Sequence, residues 1–432
     1  MQKYRRKNTI CWQNNYLFNE FADNKRTTFS DNKNTKLVYI ILFFIILLFI
    51  LFNNTTVASA TSKPNDIENI EKDLINEIDK ELDKLNLSSL DEFVKSVENN
   101  VGKLFDTNVK ELMKKIMKGE MIIDFDSFMN YLYKCIKSIF TRYLPIIFFV
   151  VFIAVLSSVL NGLTSGFSKK STIDIINIVC YFAIIIVLFT ALSSILLDVK
   201  NTIFAIKKLM EICFPILLTL IVALGGVSTS SIYKPLMLIL SDVIVSVILK
   251  LIIPFFIAGI VLSIVGNMSD TVKITKLPKF FTTCSGWILG TMFSLFSAFV
   301  SINGVTGIMV DKVSVNATKF CLSSYVPILG GYVSDGLDLV LASCMLIKNS
   351  FGVVVLIIMI LTVITPILKV LFFVLSLKLV VACIEPIADS KICNMVECIS
   401  NNLTMLISSL VGLAFMFFIF VMLIINTINF AI

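Results

Sequence analysis

YLPIIFFVVFIAVLSSVLNGL, residues Tyr143–Leu163, carries no charged side chain and is long enough to cross the roughly 30 Å hydrocarbon core of a bilayer as one helix. Working outward, comparable runs recur at Ile173–Leu197, Phe280–Ile302, Phe351–Leu368 and Leu403–Ile428. Whole-chain composition agrees: 57% of the 432 residues are apolar, 16% are charged and the mean hydropathy is +0.90. An ordinary soluble domain has roughly 45–50% apolar and about 25% charged residues. The fold class is therefore all-α, a polytopic integral membrane helix bundle over residues 143–432.

Between these runs the reading is less direct. Ile212–Val227 is a shorter apolar segment, and Leu236–Gly266 is interrupted by Asp242, Lys250 and Pro254, which fits one kinked span or two short ones. The stretch after Pro366, through Lys369, Lys378 and Glu385, reads as an amphipathic span or an interfacial helix. Seven to nine segments follow. Charges at membrane depth are costly, so each calls for an explanation. Asp174 and Lys369 read as span-end residues that snorkel. Asp242 and Lys250, eight residues apart, share one helix face and read as a polar seam or a pairing site for another subunit.

The N-terminal third differs in character. Residues 1–36 carry eight Lys and Arg against three acidic residues, and the apolar run Leu37–Phe52 follows. This is a positive n-region and an h-region, residues 1–60 forming the signal segment, with the small residues Ala58 and Ala60 marking cleavage after Ala60. An uncleaved anchor is the rival reading. Either way residues 1–36 stay in the cytoplasm and residues 61–142 are delivered across the membrane.

That exported segment, with 13 Lys and Arg against 16 Asp and Glu, faces water. Ile67, Ile70, Leu74, Ile78, Leu82 and Leu85 make an apolar stripe at helical spacing. A second helix starts at Ser89, where Ser89 and Glu92 form a capping box. Such stripes need cover, by packing as a hairpin or by docking on another protein.

Chemistry is sparse. The chain has no histidine, so triad and His-based metal chemistry is absent within it. Ten cysteines are scattered, and Cys393 with Cys398 reads as buried packing before it reads as a metal or redox pair. No Gly-rich phosphate loop is present, and no cofactor, nucleic acid or enzymatic activity is expected. The stretch Asn303–Ser350 is glycine-rich and only moderately apolar. In YVPILGGYVSDGLD, Tyr325–Asp338, Pro327, Gly330 and Gly331 stop one helix, and Ser334 or Asp335 can cap the next. Irregular backbone here would line a cavity or joint, or form an extracytoplasmic loop.

At these residues the chain resembles the stage III sporulation protein AE family. The likeness is carried by KFCLSSYVPILGGYVSDGLDLVLASCMLIKNSFG, Lys319–Gly352, in which Pro327, Gly330, Asp335, Leu346, Lys348, Asn349 and Gly352 take the family's places. It continues in ACIEPIADSKICNMVECI, Ala382–Ile399, with Pro386 and Asp389 before the last span. The long segment before the h-region departs from the family's short signal.

The resemblance implies a non-enzymatic component in the mother-cell membrane around the forespore. It implies a complex with other stage III A proteins, including the AA ATPase, and indirectly with stage II sporulation protein Q. Such a channel or feeding apparatus resembles parts of specialised secretion systems and supports late forespore gene expression. A stand-alone secondary transporter is the alternative, supported by the proline-interrupted stretches around Pro254 and Pro366 but by no duplicated half.

Overall fold

In the computed structural model of the protein the described residues are 64–101, 107–120, 125–164, 170–268, 276–325 and 330–427. The h-region and Ala58 and Ala60 lie outside them. Every regular element among the described residues is a helix.

Three short helices come first: α1 (Pro64–Lys84), α2 (Ser88–Val101) and α3 (Val109–Met117). Along the described part of the α1 stripe Ile78 and Leu82 are buried and Leu74 and Leu85 half-buried. Helix α2 begins one residue ahead of the expected cap. Asn86 Oδ1 accepts from the Ser88 N–H at 3.3 Å, so Ser89 lies inside the first turn. Asp91 accepts the Val109 N–H at 2.9 Å and caps α3 across space. Lys114 pairs with Asp79 at 2.6 Å and Lys110 with Asp83, fastening α3 to α1. The hydrogen bond from Lys110, backed by its charge, holds the Asp83 carboxyl below the ordinary carboxylate range. Helices α1 and α3 also pack on a long helix near the C-terminus (Gly330–Ile384), so cover for these helices comes from within the chain itself.

The bundle follows: α4 (Phe125–Thr164), α5 (Lys170–Ala223), α6 (Val227–Leu238), α7 (Ile253–Met268), α8 (Lys276–Tyr325), α9 (Gly330–Ile384) and α10 (Ser390–Asn426). Between α6 and α7 the backbone stays helical through π turns at Ile239–Ile244 and Ile248–Ile252, with Val245–Val247 between them. Pro254 has no N–H to give the carbonyl four residues back, which is that of Lys250, and the second π turn ends just before it.

Six helical stretches among the described residues are long and apolar enough to cross a membrane: Asp126–Leu163, Ile175–Ala223, Val227–Met268, Lys276–Ile302, Asp338–Ile384 and Ser390–Asn426. The chain is a multi-pass membrane protein. Six replaces the expected seven to nine for three reasons. Ile212–Ala223 continues Ile173–Leu197 in the single helix α5, Leu236–Gly266 makes one continuous path, and the stretch after Pro366 continues Phe351–Leu368 in α9. Alternating direction then places Lys276 and Lys279 at the same end of the bundle as Lys170. That keeps the basic connections together with a single crossing by Leu236–Gly266.

Helix α8 ends at Tyr325 and α9 starts at Gly330, so the described residues of Asn303–Ser350 are helical on both sides of residues 326–329, which lie outside them together with Pro327.

The α5–α6 corner closes by a Schellman pattern. The Gly226 N–H reaches Ile221 O and the Gly225 N–H reaches Val222 O, both at 2.9 Å, with Gly225 at φ +83°. The first N–H groups of α6 are met from α8, where buried Asp311 accepts from Ser228 N at 3.0 Å and Thr229 N at 2.8 Å. A carboxylate at a helix N-terminus also balances its dipole.

Candidate functional site

Polar residues gather at three places in this apolar bundle. The first is a clasp between α9 and α10. Lys348, on α9, is fully buried, and its Nζ donates to the Thr427 carbonyl just past the end of α10. Tyr233 of α6 shares a hydrogen bond with Thr427 Oγ1 at 3.0 Å, so three helices meet on one residue. One turn further along α9, a Cβ added at Gly352 would come within 2.5 Å of Ile425 Cγ1 and 2.7 Å of its Cδ1. Any larger residue there would force the Ile425 side chain of α10 to shift. Asn349 lies beside the clasp, half-buried, and its Oδ1 is enclosed without a hydrogen-bond partner.

Gly352→Leu should lower stability by about 1–3 kcal/mol through overpacking. Adding Ile425→Ala should recover part of the loss. Thermal unfolding of the three variants in detergent measures this, and an unchanged midpoint for Gly352→Leu would refute the close approach.

The second place is a set of charges part-way along the bundle. Lys369 of α9 pairs with Asp198 of α5 at 2.9 Å, both side chains about a quarter exposed (25% and 28%). Arg142 of α4 donates to Ser194 of α5 at 2.7 Å. Lys207 of α5 meets Asp242 at 2.7 Å and Glu211 at 3.6 Å. Lys369 is thus an ion-pair partner between two helices, not a snorkelling side chain. The third place is a junction on buried Asn402 of α10. It donates to Ser263 Oγ at 3.1 Å and accepts from Thr282 Oγ1 at 2.8 Å, joining α10 to α7 and α8.

Asp242 and Lys250 are the residues read as a polar seam or a pairing site for another subunit. Each sits in its own π turn, and the wider i→i+5 turn shifts the register that an eight-residue α spacing assumes. Asp242 turns to Lys207, and Lys250 is exposed. Pro327 lies outside the described residues. Gly330 and Gly331 open α9, and Asp335 lies within its first turns, so it does not cap that helix. Sequence reasoning did single out Lys348, Asn349 and Gly352, but it missed their partners Thr427, Tyr233 and Ile425. It also missed Asp198, Asp311 and Asn402, none of which stands in a recognisable motif.

Among the described residues no group of three or more His, Cys, Asp or Glu is placed to hold a metal. Cys393 is buried, Cys398 is half-buried, and both are free thiols.

With the geometry of the Lys319–Gly352 block in place, comparison with known proteins gives a model that matches residues 107–427 and is described as stage III sporulation protein AE. The chain belongs to that family. Stage III sporulation protein AE of Bacillus subtilis (strain 168) is 23% identical over 272 residues, covering 62% of this chain and 67% of the relative. No solved structure matches. The match spans α3–α10, so the α9–α10 clasp, the Asp198–Lys369 pair and the Asn402 junction all lie inside the AE-family region.

Proposed function

We propose that this AE-family protein is a membrane platform or channel subunit, without enzymatic chemistry of its own, in a sporulation complex that connects mother cell and forespore and is required for late forespore gene expression. In this reading residues 1–60 act as signal peptide, residues 61–142 are exported, and the bundle sits in the mother-cell membrane surrounding the forespore. Its partners are other stage III A proteins, the AA ATPase among them, and indirectly stage II sporulation protein Q.

The observation that carries a subunit role, rather than a self-sufficient transporter, is α8. Lys276–Ile302 is the span least covered by its own chain. Its outward stripe holds Gly286, Gly290, Ser294 and Ala298 at four-residue spacing beside Trp287 and Leu295, which are 75% and 66% exposed. A lipid-facing helix has no need of small residues there, whereas a helix that receives another helix uses them for close backbone approach.

The experiment is Gly286→Leu with Gly290→Leu. A Cβ at either position meets nothing within 4 Å, so the variant should fold and insert normally. It should then fail to co-purify with stage III A partners from sporulating cells and should arrest late forespore gene expression. Full partner recovery with normal spore yield would remove the platform reading.

A further inference from the structure

The helices are too long for the membrane they cross. At 1.5 Å per residue, α4, α5, α8 and α9, with 40, 54, 50 and 55 residues, run about 60 to 83 Å. A bilayer's hydrocarbon core is about 30 Å thick. Part of the bundle therefore stands outside it, and the outward-facing side chains indicate which part.

Helix α4 changes at Arg142. From Leu144 to Thr164 it carries no charge, and its exposed residues include Phe148, Phe149, Phe152, Leu156 and Val159. On the other side of Arg142 the exposed face mixes Asp126, Asn130, Lys134 and Lys137 with apolar residues.

Helix α5 changes at Asp198. Ile175–Leu197 is uncharged and exposes Ile178, Val179, Phe182, Ile186 and Phe189, whereas beyond Asp198 the exposed positions include Asn201, Lys208, Glu211 and Thr219. On the α6–α7 path the last charge is Lys250, and Leu251–Met268 is uncharged.

The changes on α4 and α5 coincide in space, together with Lys369 of α9. Arg142 contacts Ser194, one turn from Asp198; Asp198 pairs with Lys369; and Tyr143 lies against Phe373, with ring centroids 5.1 Å apart. The uncharged runs on α4, α5 and α7 span about 27 to 35 Å, the thickness of the hydrocarbon.

Beyond this level, towards α1–α3, the apolar runs of α9 and α10 are mostly enclosed by protein, while Phe204, Val222 and Leu238 stay exposed on α5 and α6. Phe351, Val355, Ile358 and Met359 on α9 and Leu410, Phe417 and Phe420 on α10 are buried. Phe214 of α5 packs its ring on Phe417 and Phe420 at 5.5 and 4.7 Å.

We propose that the bilayer's acyl chains cover only the half of the bundle distal to α1–α3, that Arg142, Asp198, Lys369 and Lys250 lie at the headgroup level, and that α9 from Phe351 to Leu368 with α10 from Phe417 to Asn426 forms the dry core of a helical stalk outside the hydrocarbon. All six helices still cross, but with different segments from those that hydropathy alone selects. Lys378 fits this placement. It is half-buried and lies seven residues from exposed Glu385, a position from which a lysine stem can extend towards the far surface. The proposal needs no partner, so it stands apart from the platform reading.

The test is tryptophan quenching in phosphatidylcholine vesicles with and without brominated acyl chains. Trp12→Phe leaves Trp287 as the sole tryptophan, on the acyl-covered half of α8, in an otherwise unaltered bundle. Into a Trp12→Phe, Trp287→Phe background are placed Phe182→Trp, in the covered half, and Val222→Trp, exposed on the stalk. Brominated lipid should quench Trp287 and the Phe182→Trp variant several-fold and leave the Val222→Trp variant near its unquenched intensity. Aqueous acrylamide should give the reverse order. Equal bromolipid quenching at positions 182 and 222 would overturn the placement, as would no quenching of Trp287 in the natural bundle.

Discussion

Lys369→Ala should lower the unfolding free energy by about 1–3 kcal/mol, because it strands the Asp198 carboxylate between two apolar helices. Breaking a fully buried pair costs roughly 3–5 kcal/mol, and the quarter exposure of both side chains scales that down. Asp198→Ala should cost a comparable amount by stranding the ammonium. The double replacement Asp198→Leu with Lys369→Leu should come back close to the natural protein, since an apolar pair of similar volume is usually neutral against an enclosed ion pair. Thermal unfolding in one detergent, analysed as a double-mutant cycle, measures the coupling directly. If both single variants melted with the natural chain, the pair would contribute nothing to holding α5 on α9.

Lys348→Met should cost about 1–3 kcal/mol, chiefly through the Thr427 carbonyl, which loses its donor in a buried setting. The last carbonyls of a helix have no partner within the helix, and a cation beside them also answers the dipole. The damage should be local. Amide hydrogen exchange should speed up over residues 420–427 and stay unchanged around Asp311. Tyr233→Phe should show a smaller version of the same pattern, because it removes only the bond to Thr427 Oγ1. Uniform loss of protection across the bundle would contradict a clasp confined to the α9–α10 end.

The class of fold was legible because apolar runs of bilayer length leave few alternatives. Which solvent covers each run was not. Phe351–Leu368 and Leu403–Ile428 read from sequence like Tyr143–Leu163, yet most of their side chains face protein, while Phe148, Phe152 and Phe182 face outward. Hydropathy registers apolarity and does not distinguish lipid from neighbouring helix. The same blindness split α5 in two, since Asp198, Lys200, Lys207, Lys208 and Glu211 look like a water-facing break although the helix continues through them.

Of the site, the residues on one strand of sequence could be seen and their partners could not. Lys348, Asn349 and Gly352 stand together, but Thr427 and Ile425 are more than seventy residues away and belong to no pattern. Asp335 suggested a cap because Asp often caps. In the structure α9 starts at Gly330, which places Asp335 in the body of the helix.

Asp311 has a consequence for how this bundle can move. Its two oxygens each hold one amide at the start of α6, so sliding α6 along α8 by one turn would leave a bare carboxylate among apolar side chains and two amides with no acceptor. A ratchet between these two helices is therefore barred.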